Sequence, residues 1–238
     1  AQGLWGAGQM MFNKYLVITP ENTNLRSKEE MFALLRGLNS KRNLIWSEGI
    51  LDVLDHATAT TGYGSKLAID LTDIDPNTTP ASFAAPRTAQ PTGGVELFNT
   101  EFCNDLELLI LYAEREHRDV VNVEEYLTKN SITGIKFVAL FDNGAVGSMH
   151  PSDLLWLGAA NTDPKRDIAI VDSVVVVDAR SKRPNAGKNP RRFPNVVTSS
   201  MEVIELVDRR WEEYGIGELI ESPSRRYRKL LLSDTAEW

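Results

Sequence analysis

Leu51-Asp52-Val53-Leu54-Asp55-His56-Ala57-Thr58, continued by Gly62-Tyr63-Gly64-Ser65-Lys66 and closed by Ile69-Asp70, is the stretch on which the reading of this chain turns. It runs from an apolar strand end through an acidic pair and a glycine-flanked loop carrying one lysine to a second strand ended by aspartate. Flanking glycines allow backbone angles that other residues avoid, so such a loop can pass close to a ligand and place the Lys66 ammonium against it. An ammonium is a compact charge with three donors, suited to an anionic group.

Working outward, residues 16–18 and 44–46 are short apolar runs of strand character. Between them, Ser27 followed by Glu30 forms a capping box, and Met31, Leu34, Leu35 and Leu38 recur at helical spacing. A crossover long enough to hold a helix makes the two strands parallel neighbours. The chain also echoes itself. Lys14-Tyr15-Leu16-Val17-Ile18 is matched by Lys136-Phe137-Val138-Ala139-Leu140, residues 27–38 by 152–160, and Lys41-Arg42-Asn43-Leu44-Ile45 by Lys165-Arg166-Asp167-Ile168-Ala169, at an offset of roughly 120 residues. The expected fold class is α/β, two similar small βαβ-based domains with mixed or mostly parallel sheets, related by an internal duplication. The first repeat spans residues 1–75. A linker and connecting helix follow over 76–130, with the Pro-, Thr-, Ala- and Gly-rich segment 75–94 as loop and a helix over 101–117 bearing Phe102, Leu106, Leu109 and Ala113 on one stripe. The second, divergent repeat covers 131–215 and ends in a helix capped by Ser200, with Val203, Ile204, Val207 and Trp211 as its buried stripe. A tail helix over 216–238 starts with Pro223 at a first helical position.

Composition narrows the function classes. The 238 residues, 42% hydrophobic and 25% charged, are those of an ordinary globular protein. A formal net charge of -7 argues against broad binding to nucleic acid, which depends on neutralising phosphates. Membrane insertion is not expected either, because the apolar runs are strand-sized. The lone Cys103 has no partner for an internal disulfide, which points to a reducing cytoplasm.

The opening stretch, together with Gly6-Ala7-Gly8-Gln9-Met10-Met11-Phe12-Asn13-Lys14-Tyr15-Leu16-Val17-Ile18, resembles the carboxy-terminal domain of the UbiD family of carboxy-lyases, decarboxylases of aromatic and unsaturated carboxylic acids. The resemblance covers roughly the first third of the chain. It implies a parent enzyme with a role in ubiquinone or menaquinone biosynthesis. It also implies an amino-terminal domain that holds prenylated flavin mononucleotide (prenylated FMN) through a divalent metal (Mn or Mg) and potassium and carries a Glu-Arg-Glu proton-transfer network. No stretch here matches that network, so no catalytic residue is assigned and the portion is expected to be inactive alone, with no cofactor of its own. The start at Ala1-Gln2-Gly3-Leu4-Trp5, without initiator methionine or signal-peptide pattern, fits a segment from inside a longer protein. The resemblance makes Lys66 the cofactor-binding residue, near the flavin phosphate. It implies as partners the amino-terminal flavin domain of the same protein and a homo-oligomer, a dimer or higher. A carboxy-terminal segment reaching a partner protomer and one packing on its own domain are both compatible with the tail. The alternative function is a non-catalytic oligomerisation or assembly module.

Other candidates are weaker. Asp52, Asp55 and His56 could be metal ligands, but a strand would send Asp55 and His56 to opposite faces, and no metal site is assigned. Asp70, Asp73 and Asp75 lack EF-hand spacing and read as the end of a strand and the start of a loop. His56, His117 and His150 form no metal-binding pattern. Gly187-Lys188 is a degenerate counterpart of the Lys66 site, and Arg180, Lys182, Arg183, Lys188, Arg191 and Arg192 form a basic group that could meet a phosphate or stand in solvent.

Overall fold

In a computed structural model of the chain, residues 1–77, 83, 89–113, 122–143, 150–182 and 191–235 are described. The chain is α/β with two mixed sheets. A one-turn helix α1 (Gln2–Trp5) and a 3-10 turn (Gly8–Phe12) lead into β1 (Tyr15–Ile18), α2 (Lys28–Arg36), β2 (Leu44–Ile50) and β3 (Tyr63–Asp70). Ser27 caps α2 as the spacing predicts, its side chain accepting from Glu30 N, but the Glu30 carboxylate turns to Asn24 N instead of closing the box. Leu34 and Leu38 are buried on the stripe that faces the sheet.

The first sheet has the order β1-β3-β2, with β1 parallel and β2 antiparallel to β3. The expectation that residues 16–18 and 44–46 are parallel neighbours is therefore overturned: β3 lies between them, and β2 returns to it as a hairpin arm. The glycine-flanked loop is also corrected. Only Gly62 takes a left-handed backbone, at φ +73°, whereas Gly64 is already inside β3 and so is Lys66.

The second sheet has the order β4-β5-β6-β8-β7, built from β4 (Val95–Asn99), β5 (Leu108–Ala113), β6 (Phe137–Asp142), β7 (Ile168–Val171) and β8 (Val174–Asp178). Its helices are α3 (Cys103–Leu106), α4 (Val123–Lys129), α5 (Pro151–Ala160) and α6 (Pro164–Asp167). The predicted helix over 101–117 is thus replaced by one helical turn and a strand, residues 114–117 lying outside those described. The turn stops at Glu107, whose φ of +55° reverses the chain, and the run Leu108-Leu109-Ile110-Leu111-Tyr112-Ala113 then becomes the second strand of the sheet, nearly all of it buried. Segment 76–130 accordingly contributes two strands and α4 to this sheet. Part of the predicted loop, 78–82 and 84–88, falls outside the described residues.

The two halves share one connection scheme. In β1-α2-β2-β3 the last strand lies between the other two, parallel to the first and antiparallel to the second. The same holds for β6, α5, β7 and β8, and Asp70 beside Ile18 corresponds in register to Asp178 beside Leu140. Strands β4 and β5 have no counterpart in the first half. The halves meet along an apolar seam in which Leu34, Leu38, Leu67 and Leu71 pack with Ile168 and Val175.

At the carboxy end, α7 (Met201–Arg209) is capped by Ser200 as expected, but of the predicted stripe only Ile204 is buried and Val203 is half exposed. One-turn helices α8 (Trp211–Tyr214) and α9 (Pro223–Tyr227) follow, with Pro223 at the first helical position. The tail packs on its own chain: Leu230 is buried against Phe102, Ile110 and Phe141, and Tyr227 Oη donates to Asp153 Oδ1 at 2.8 Å. It is shorter than the helix predicted over 216–238, and residues 236–238 lie outside those described.

Gly64 is held by close approach. A Cβ added there would come within 2.4 Å of Thr58 Cγ2, 2.9 Å of Leu51 Cδ1 and 3.0 Å of Asp163 Oδ2. Thr58 and Leu51 are buried and cannot swing away. Gly64→Ala is expected to destabilise by about 1–3 kcal/mol, read as a lower urea midpoint with an unchanged slope.

Candidate functional site

Lys66 stands on the central strand of the first sheet, 3% exposed. Its Nζ donates to the carbonyl of Met11 and, at 3.0 Å, to that of Asn13, and lies 5.8 Å from the centre of the Trp5 ring. No carboxylate faces it among the described residues, so its charge is met only by dipoles and a ring face. Burial pulls its pKa below the ordinary lysine value. A charge met by no carboxylate among the described residues is what an anionic group would complete.

A second constellation sits where the halves join. Ser65, next to Lys66 on the strand, points to the opposite face and donates to Asp163 Oδ1, while the backbone N–H of Lys165 donates to Ser65 Oγ at 2.9 Å. Thr162 Oγ1 donates to Gly158 O at 2.6 Å, so Tyr15 Oη is the donor in its contact with Thr162. Burial pushes the Tyr15 phenol far above its usual pKa and keeps it protonated. Asn161 Nδ2 donates to Ala179 O at 3.0 Å, which leaves its Oδ1 as acceptor for His56 Nε2 at 3.3 Å. That fixes the imidazole tautomer with the proton on Nε2. Burial lowers the His56 pKa, so the ring is neutral at pH 7.

The candidates predicted together do not act together. Asp52 Oδ1 accepts from Leu54 N, Asp55 pairs with Lys14 at 2.7 Å, and His56 turns to Asn161. Asp70 accepts from Thr72, Asp73 pairs with Arg42, and Asp75 accepts from Asn77, as expected of a strand end and loop. His150 caps α5. His117, Arg183 and Gly187-Lys188 lie outside the described residues.

Where it is described, most of the basic group is engaged in ion pairs and main-chain contacts, and Arg192 is exposed. Arg180 Nη2 meets Asp178 Oδ2 at 2.7 Å, Lys182 Nζ donates to Asp178 O and Arg180 O, and Arg191 Nη1 donates to Asp55 O at 2.8 Å. Burial raises the Asp178 pKa, but Lys182 and Arg180 outweigh it and hold the carboxyl at about 2, below its ordinary 3.8. A folded-state pKa below the unfolded one means that the ionised carboxylate stabilises the fold above the unfolded pKa. That contribution, on the order of 2 kcal/mol, is lost as pH falls through the window between the two values. Stability measured by urea denaturation between pH 5 and 2, about that window, should fall less steeply in Asp178→Asn than in the wild type.

Known proteins place the first half in a family. Residues 1–71 match the model of the 3-octaprenyl-4-hydroxybenzoate carboxy-lyase C-terminal domain. The chain therefore carries a UbiD-family carboxy-terminal region in just under its first third. Two Helicobacter pylori proteins of uncharacterised function, from different strains, are 30% and 29% identical over 217 residues, 87% of this chain and 34% of each relative. An uncharacterised Aquifex aeolicus protein is 34% identical over 73 residues, 30% of this chain and 15% of its own length. The chain thus spans about a third of the Helicobacter relatives it matches. Among solved structures, an evolved dimeric form of the UbiD-class enzyme HmfF from Pelotomaculum thermopropionicum, in complex with prenylated FMN, overlaps 68% of this chain and 42% of its own, at 11% identity and a TM-score of 0.36. That overlap is too loose for residue-by-residue comparison.

Proposed function

We propose that the chain is the carboxy-terminal portion of a UbiD-like carboxy-lyase that uses prenylated FMN to decarboxylate an aromatic or unsaturated carboxylic acid in quinone biosynthesis, as a cytoplasmic homo-oligomer. The observation that carries this reading is the match of residues 1–71 to the family's carboxy-terminal domain. The amino-terminal domain of the same parent would hold the flavin, the divalent metal and potassium. Lys66 would face the flavin phosphate, and its buried charge without a carboxylate fits that group. When bound, the flavin supplies the electron sink for the loss of carbon dioxide. This chain's own part is to keep the ammonium buried, pinned by the carbonyls of Met11 and Asn13 and shielded from water by Trp5. The duplicated origin of the halves belongs to the same proposal, supported by their common strand order.

An assembly role is favoured by one observation. Val197, Ile216, Leu219 and Ile220 expose apolar side chains along the segment around α7 and α8.

The test is Lys66→Met in the full-length parent reconstituted with prenylated FMN. A buried lysine without an ionic partner can be replaced by methionine with little loss of stability, so a preserved thermal midpoint is expected. With it we expect lost flavin retention and lost carbon dioxide release. If flavin content and rate both stay at the wild-type level, the cofactor role is refuted and the assembly reading stands.

A further inference from the structure

The second half holds a cavity that the carboxy-lyase reading does not use. It has a volume of about 480 Å³ and lies beneath the tail, walled by Phe141 of β6, Trp156 and Leu157 of α5, Phe193, and Tyr227 and Leu230. His56 is the one first-half residue among the described residues that line it. That volume lies within the range of small-molecule sites. Trp156 is half exposed, and Val197, also on the lining, is almost fully exposed, so both stand at the mouth.

The roof is fixed in place. Asn195 holds the tail through both ends of its amide: Nδ2 donates to Ser233 O at 2.6 Å and to Thr235 O at 2.8 Å, and Oδ1 accepts from Leu232 N at 2.8 Å. Tyr227 Oη donates to Asp153 Oδ1 on α5, and Leu230 is buried. Small-molecule sites are usually largely pre-formed, and these anchored walls meet that condition.

The other polar side chains on the wall are engaged as well. Asn161 Nδ2 donates to Ala179 O and its Oδ1 accepts from His56 Nε2, while Ser181 Oγ donates to Asp142 Oδ2. The second oxygen of Asp142 is shielded from solvent and out of a ligand's reach. A charged molecule would therefore give up its hydration for groups already bound to their own chain, which is strongly unfavourable. Ring and methyl surface remains. Aromatic side chains receive a flat ring through edge and offset contacts, and two pairs on this wall already use the edge geometry. His56 meets Phe193 with ring centres 4.8 Å apart at 88°, and Trp156 meets Tyr227 at 5.9 Å and 77°.

We propose that this cavity is a binding site for a small uncharged aromatic molecule, held by ring contacts with Phe141, Trp156, Phe193 and Tyr227 and by no ionic group. The site is independent of the carboxy-lyase reading, because Lys66 and the residues that hold it take no part in the lining.

The test is isothermal titration of this chain with toluene, and with benzoate and benzylammonium as ligands of similar size that carry a charge at pH 7. Toluene should saturate a single site, and each charged ligand should bind at least about tenfold more weakly. Trp156→Ala should weaken toluene by about two- to tenfold, the worth of one aromatic contact. Ala160→Phe, which builds a ring into the cavity from the end of α5, should abolish toluene binding. Leu155→Ala removes an apolar side chain that is 75% exposed and not on the lining, and should leave the affinity unchanged. Trp156 and Leu155 are both exposed, so their variants are expected to fold and carry the test if Ala160→Phe does not. Uptake of toluene without saturation, a charged ligand bound as tightly as toluene, or equal losses in Trp156→Ala and Leu155→Ala would each overturn the proposal.

Discussion

Asp178→Ala is expected to lower the free energy of unfolding by about 3–5 kcal/mol at neutral pH. The side chain ends β8 and is the shared counter-charge of Arg180, paired at 2.7 Å, and Lys182, 3.7 Å away. Arg180 is buried, and the Lys182 ammonium is fixed by the carbonyls of Asp178 and Arg180. Removing the carboxylate leaves two cations close together with less negative charge between them. Asp167, 3.8 Å from Lys182 but engaged by Arg166, cannot take over both. Asp178→Asn keeps the acceptor oxygen for Arg180 and should cost less. Urea denaturation followed by tryptophan fluorescence distinguishes them; equal, sub-kilocalorie losses in both variants would mean that the ion pairs are no better than exposed ones.

What was legible in the sequence follows from how locally each element is determined. The helix after Ser27, the helix capped by Ser200 and the short apolar runs at 16–18 and 44–46 each carry their own local signal, and they form where expected. The misread elements are those whose environment is set from a distance. In β5 the stripe Phe102, Leu106, Leu109, Ala113 has helical period, but the six-residue apolar run inside it is equally a strand buried on both faces, and periodicity alone cannot separate the two. In β3 the glycines read as a loop because Gly is disfavoured in strands. Here Gly64 serves a close approach to Thr58, and the polar pair Ser65-Lys66 is buried only because partners arrive from residues 163–165 and 11–13.

The site was legible to the same degree. The glycines beside Lys66 mark it in the sequence, and the structure gives it a burial that no spacing reveals. The sequence offers His56 as a metal ligand with Asp52 and Asp55. Its tautomer is instead set by Asn161, whose own orientation is set by Ala179 O. That chain of hydrogen bonds links residues over a hundred positions apart and leaves no local pattern.

Leu67→Ala is expected to cost about 2–5 kcal/mol, and its more informative consequence concerns both halves at once. Leu67 pairs with Tyr15 and Trp46 across β3, and its side chain enters the seam with Ile168 and Val175 of the second sheet. Polar contacts flank that seam, from Ser40 Oγ donating to Ser173 O at 3.2 Å to Lys165 meeting Glu48 at 2.6 Å. If the seam is a shared core, a cavity made from the first half must loosen the second. Fluorescence of Trp46 and Trp156, each kept in turn as the sole tryptophan reporter of its own half, should then shift to the same lower midpoint. Leu67→Ala combined with Ile168→Ala should depart from additivity by about 0.5–3 kcal/mol, because both substitutions enlarge one void. Separate transitions, with only the Trp46 signal displaced, would show instead that the UbiD-like region folds by itself. The residues after 71 would then be an independent module.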